Sequence, residues 1–452
     1  MRAQTENPPN SFAVAERGIQ RKTSVLLLFL LAAAFSGRSF ASGDAEPETS
    51  ETSVEGQEIL QETLKSANDT EPPKDSRFRN LQIFGHLTQA WAKSRNADGG
   101  FRPQTQDEVI LGVPSDGTTN YRTLALMFRY QMTNQNHLTF QLSHRALGTS
   151  PIGDLEDEIE IDWAYFEHHF GSQTNLRVGR FPSPIGLLNE VRDVGILLPF
   201  FRTPFAFYRE GSYTSETVDG LFLRQTLSLP ASWQIELNAF AGEWDLIEFA
   251  PPGTPIAEPA GIARARDALG LTFMIASPDE NFRIGAGGQW YDVEGGVIRN
   301  PGEQTPWYDY HASMEIQSGR LLVRAEGRWA RFVSTNVLPG GVKADSISYY
   351  LQIGYRLNDQ WSLYLQREDN PSKWQSPFLA ASFRDKIWED TAFAVNRRFS
   401  SDLVVKAEFH AIAWEDFDIV GFESTPAGPR AVVGTRRATG GRQVIVSLST
   451  GF

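Results

Sequence analysis

Side chains from Asn80 to Phe452 change character at every second position, and that period excludes most folds at once. Between Tyr121 and Met132, Leu124, Leu126, Phe128, Tyr130 and Met132 alternate with Thr123, Ala125, Met127, Arg129 and Gln131. After a turn at Thr133–Asn136, Leu138, Phe140 and Leu142 alternate with Thr139, Gln141, Ser143 and Arg145. A helix groups residues three and four apart on one face, and neither segment does so. Both read as strands with one apolar and one polar face.

The same pattern recurs from Asn80–Lys93 to Arg442–Phe452 and predicts about sixteen strands. Each runs for ~10 residues, the length a tilted strand needs to cross a bilayer. No strand carries a long run apolar on both faces, which argues against a parallel sheet sandwiched between helices. Tight turns, such as Asn134–Asn136, Gly171–Gln173 and Asn358–Gln360, alternate with long Gly- and Pro-rich stretches at Ser94–Asn120, Pro182–Thr217, Trp244–Asp267 and Phe417–Gly441. Short turns at one end and long loops at the other describe an antiparallel up-and-down transmembrane β-barrel, an all-β fold. A soluble propeller would repeat every ~40–50 residues, and no such repeat is found. Trp163, Tyr165, Trp290, Tyr310, Trp329, Tyr349, Tyr355 and Trp361 fall near strand ends, where amphipathic rings favour the headgroup layer.

The first 79 residues are of a different material. Arg21 and Lys22 precede an apolar run from Val25 to Phe35, and Ser39-Phe40-Ala41 offers small residues before a cleavage site, so residues 1–41 read as a signal peptide. That run is about half of the ~20 residues a spanning helix needs. Residues 42–78 read as a flexible periplasmic tail, since from Gly43 to Ser76 ten acids stand against Lys65 and Lys74. The barrel is assigned to residues 79–452. The tail supplies much of the formal charge of −13, so that total does not describe the barrel. Net acidity and the lack of a basic tract argue against nucleic-acid binding, and the absence of cysteine rules out thiol or Cys-zinc chemistry.

In the last strand Val444, Val446, Leu448 and Phe452 share one face, and the terminal Phe resembles the signal read by the outer-membrane insertion machinery. At Arg177-Val-Gly-Arg-Phe-Pro-Ser-Pro-Ile-Gly186 a strand runs directly into a long loop, and this passage resembles Gram-negative outer-membrane porins of the general and phosphate-selective kinds. The resemblance covers residues 80–452 and implies a third loop, here Pro182–Thr217, folded inward to narrow a water-filled channel. It also implies a homotrimer in the bacterial outer membrane, in contact with lipid and lipopolysaccharide and passing small hydrophilic solutes by passive diffusion.

On that reading the constriction is formed by Arg177, Arg180, Arg192, Arg202 and Arg209 facing Glu190, Asp193 and Glu210. Opposed charges of this kind either set up a transverse field or tie the loop down as salt bridges. The alternation points Arg129, Arg145, Arg224, Arg283, Arg324, Arg328, Arg356 and Lys406 into the lumen, together with acids that include Glu326 and Glu408. Wall charges nearly cancel, which implies weak selectivity; the basic lean near the loop suggests a slight anion preference. No dense basic ladder for phosphate is present.

No enzymatic motif stands out. Ser143 and His144 diverge as strand neighbours, and no G-x-S-x-G, H-E-x-x-H or P-loop occurs, so no catalytic residue is assigned. Glu167, His168 and His169 cannot all grip one metal because adjacent strand residues face opposite ways, and no metal or cofactor is expected. The competing readings are an outer-membrane barrel hydrolase and a soluble all-β binding protein.

Overall fold

The computed structural model describes residues 80–95, 113–148, 159–208, 216–248, 261–296, 302–334, 341–426 and 428–452. The proposed signal peptide (1–41) and tail (42–78) lie outside these residues. Sixteen strands follow in chain order: β1 Leu81–Arg95, β2 Thr118–Thr133, β3 Asn136–Leu147, β4 Glu160–Phe170, β5 Thr174–Pro182, β6 Thr217–Ser228, β7 Gln234–Glu248 and β8 Gly261–Ala276. The second half comprises β9 Phe282–Gly295, β10 Gln304–Ser318, β11 Leu321–Ser334, β12 Val342–Arg356, β13 Trp361–Gln375, β14 Phe383–Ser400, β15 Leu403–Thr425 and β16 Gly428–Gly451.

Each strand pairs antiparallel with its neighbours in sequence, and β1 pairs with β16 to close the barrel. Closure satisfies every edge, which an unpaired sheet in hydrocarbon could not do. At the seam Phe452 N donates to Gly85 O and Gly85 N to Phe452 O, both at 3.0 Å, so the terminal residue itself completes the join. Among the described residues no helix is long and apolar enough to cross a membrane.

Side-chain polarity is inverted relative to a water-soluble protein. On β16, Val444, Val446 and Leu448 are 40–45% exposed on the outside, while Gln443 and Ser449 are fully buried on the inside. The same holds on β1, where Ile83, Leu87 and Trp91 face out and Thr88 and Ser94 face in. An apolar exterior over a polar interior is the arrangement lipid demands of a barrel.

Two expectations about local structure are corrected. Phe417–Gly441 is not an irregular loop: β15 and β16 continue past their neighbours as a paired ribbon, from Ala413↔Thr439 to a turn at Thr425↔Gly428. There Gly428 takes a φ of 113°, a conformation that side chains resist. Trp163 and Tyr165 are not at the lipid surface. The β3–β4 register shifts between Gln141 and Leu142, and Trp163 pairs with the inward Gln141 and Tyr165 with the inward Thr139. The extra residue reverses which β4 positions face the lumen.

Candidate pore constriction

The third long loop joins β5 to β6, and its described residues 183–208 turn into the barrel. Pro182 and Pro184 lack the N–H a continuing strand would use, so the chain leaves the sheet here. The neck is closed by Ser183 N donating to Glu216 O at 2.8 Å, and by Asn189 Nδ2 donating to Ser183 O and Glu216 O, each at 2.8 Å.

Apolar side chains hold the loop against the wall. Ile185, Leu188, Leu198, Phe207 and Tyr208 pack around Tyr350 of β12, and Phe200 sits on Ala392 and Ala394 of β14. Phe201 meets Tyr121 of β2 at 4.7 Å between rings, and Phe205 meets Trp388 of β14 at 4.9 Å. Each such ring buried contributes about 1.5–3 kcal/mol, which favours inward packing over exposure to water. Small wall residues make room for the aromatic rings, and Gly195 lets the loop backbone touch the seam. A Cβ there would stand 2.0 Å from Thr88 Oγ1.

Wall side chains then capture the polar backbone of the loop. Glu326 of β11 accepts from Leu187 N at 2.8 Å, from Tyr350 Oη and Ser313 Oγ at 2.5 Å each, and from Tyr208 Oη. Gly186 turns at a φ of +69° directly over this carboxylate, where any side chain would collide with Tyr208. Burial, reinforced by the Glu326 carboxylate, pushes the Tyr208 hydroxyl well above its ordinary pKa. Glu368 of β13 accepts from Ala206 N at 2.7 Å, Arg328 of β11 donates to Phe207 O at 3.1 Å, and Asn396 of β14 donates to Pro199 O at 2.9 Å. Lys406 of β15, fully buried, donates to Phe200 O at 2.9 Å. Glu326, Arg328 and Lys406, expected to face the aqueous lumen, are thus corrected to anchors of the loop.

Loop carboxylates meet arginines on the opposite stretch of wall. Arg177 of β5 binds Glu167 of β4 at 2.7 Å and Glu190 of the loop at 3.3 Å. Arg224 of β6 reaches Glu190 at 3.1 Å. Arg145 of β3 binds Asp193 at 2.8 Å and Glu216 at 2.6 Å, with Asp162 at 4.0 Å, and Arg192 lies 3.4 Å from Glu216. Burial alone would raise the Glu190 carboxyl, but Arg224 and Arg177 outweigh it and hold the pKa below its ordinary value. Asp193 is lowered in the same way: burial opposes ionisation and Arg145 prevails. Of the two roles open to these charges, the geometry supplies the second, a ring of ion pairs that ties the loop down. Asp162, Asp193 and Glu216 also converge closely enough to hold a cation, and the Arg145 guanidinium already lies among them.

The remaining expected site residues separate. Arg180 is corrected to the outer face: it pairs with Asp219 of β6 at 2.8 Å, and both are about 40% exposed. Arg202 borders a small space shared with Glu368, Asp390 and His410. Arg209 and Glu210 lie outside the described residues. Glu408 faces inward beside His410 at 3.4 Å. Arg129 faces inward with its side chain 30% exposed, 3.7 Å from Glu167. Arg324 binds Gln352 at 2.9 Å and pairs with Glu315, which also takes Arg283 at 2.5 Å.

Toward the short-turn end the lumen opens into a vestibule. The inward loop lines it with Leu187, Val191, Ile196, Leu197 and Leu198, while Arg283, Arg320, Arg324, Arg356 and Arg398 stand around it with Glu280, Glu315 and Asp359. Arg320 and Arg398 were missed in the sequence: Arg320 stands in a tight turn, and the β14 stretch that carries Arg398 shows no clean alternation.

No family model matches this chain, and no curated protein matches it. Solved structures do. The trimer form of OmpT, an outer-membrane protein of Vibrio cholerae, is 11% identical with a TM-score of 0.50, over 82% of this chain and 99% of that one. The outer-membrane channel DcaP of Acinetobacter baumannii is 9% identical, with 82% and 97% coverage and a TM-score of 0.50. OmpF of Salmonella typhi is 11% identical with the same coverages and TM-score. What is shared at such identities is the fold: like these outer-membrane proteins, this chain forms a closed antiparallel barrel, here of sixteen strands.

Proposed function

We propose that this porin-fold barrel is a passive, water-filled channel of the bacterial outer membrane that admits small hydrophilic solutes with a weak preference for anions. The observation that carries the reading is the inverted polarity: apolar side chains cover the outside, and the inner wall is built of Arg, Glu, Asp, Gln, Ser and Thr. The anion preference rests on the vestibule, where five arginines stand against three acids. Residues 1–41 then serve as the export signal and residues 42–78 as a periplasmic tail. Lipid and lipopolysaccharide surround the barrel, and a homotrimer is proposed in line with the trimer form of the Vibrio protein.

A hydrolase on the same scaffold is not favoured. It needs a nucleophile held by a base. His144 points outward and accepts from Arg122 Nε at 3.1 Å, away from the inward Ser143. His410 is turned to Asp390 at 2.7 Å and Glu408 at 3.4 Å. The reversal potential across a planar bilayer in a salt gradient tests the selectivity. The expected sign is that of modest anion preference, and a cation-selective potential would overturn it.

A further inference from the structure

The bulge in β4 has a second effect. It turns Glu167 and His169 onto the lumen side, where the β3–β4 register sets His137 directly opposite Glu167. One nitrogen from each histidine and one Glu167 oxygen lie within 4.8 Å of one another. His169 Nε2 is 2.7 Å from Glu167 Oε1, and the two imidazoles stand edge to face with centroids 5.2 Å apart. Both His137 Nδ1 and His169 Nε2 are shielded from solvent; His137 Nδ1 makes no hydrogen bond, and His169 Nε2 faces the Glu167 carboxylate. A shielded ring nitrogen without a hydrogen bond is costly, and one set beside a second imidazole and a carboxylate calls for an explanation.

We infer that His137, Glu167 and His169 form a binding site for a late first-row divalent transition metal ion, with zinc as its reference, at the short-turn rim of the lumen. Two imidazoles and one carboxylate suit zinc, copper or nickel, whereas magnesium and calcium prefer all-oxygen sets. Three protein ligands leave a position open to water or a passing solute. Arg177 Nε donates to Glu167 Oε2 at 2.7 Å, leaving Oε1 for the metal and orienting the carboxylate as an outer partner does. Arg129 competes for Oε1 from 3.7 Å, but its partly exposed side chain has room to withdraw into the lumen. His168 takes no part. It faces the other way and bonds Asn136 Oδ1 at 2.6 Å. The site is independent of whether the barrel conducts.

Zinc binding to the folded, detergent-solubilised chain, followed by calorimetry, tests the inference. One ion per chain is expected. H137A and H169A should each weaken it by at least the ~10- to 100-fold that loss of a mere outer partner costs, and H168A should leave it unchanged. Magnesium in excess should not displace zinc. A second measurement needs no variant: the electron paramagnetic resonance spectrum of bound Cu2+ should show coupling to two imidazole nitrogens. Absence of stoichiometric zinc binding, binding that survives H137A, or a copper signal without nitrogen coupling would each overturn the assignment.

Discussion

Single carboxylates decide where the inward loop sits. Glu326 accepts from a backbone amide and three hydroxyls, so E326A strands several buried donors at ~1–3 kcal/mol each. The expected loss is on the order of 3 kcal/mol or more, read as a lower urea midpoint, with E326Q milder; an unchanged midpoint in E326A would contradict the anchoring role. Glu190 and Asp193 make the anchoring pH-dependent. Their folded pKa values lie below the ordinary 4.5 and 3.8, so their contribution is complete above those values and is lost as pH falls through the folded ones. The urea midpoint should therefore be flat with respect to these groups down to the ordinary carboxylate range and drop below it. A midpoint that rises on acidification would contradict this. The inward facing of Arg145, Arg177 and Arg224 was legible in the sequence because strand parity alone sets it. Their partners were not, since ion pairs with Glu190 and Asp193 depend on how a loop folds back. Arg180 shows the limit of reading a motif: it is three residues from Arg177 and so on the opposite face of the strand.

At the level of elements, all sixteen strands were readable, because lipid outside and polar groups inside force a strict period of two. What escaped was anything that breaks the period. The β4 bulge moved Trp163, Tyr165, Glu167 and His169 to the inside, and no local propensity marks it. The β15–β16 ribbon escaped for another reason. Its Gly, Pro and acidic residues look loop-like, and its pairing is fixed across strands. Beyond Ala413 and Thr439 the ribbon pairs chiefly with itself, with an added contact where Ala431 exchanges hydrogen bonds with Phe378 and Ala380. β1 stops pairing with β16 at Arg442, and β14 with β15 at Ala413. Replacing residues 414–438 by a short turn should leave a barrel with heat-modifiable gel migration like that of the full chain. Loss of that migration would make the ribbon part of the folding core.

For the whole molecule, closure, polarity and the inward loop act together. The loop rests against β11 to β16 by buried rings and captured backbone groups, and against β3, β5 and β6 by ion pairs, so it crosses the lumen and is fixed at both sides. On the proposed channel reading, a lumen divided in this way would pass water and small ions along polar walls and exclude larger solutes. The sequence indicated the closed barrel and its inward loop. It did not indicate how many wall charges the loop would consume as ion pairs. The most direct measurement is the current through a planar bilayer after adding the folded barrel. Discrete ohmic steps that scale with salt concentration are expected. Folded, inserted protein that leaves the bilayer silent would contradict the channel.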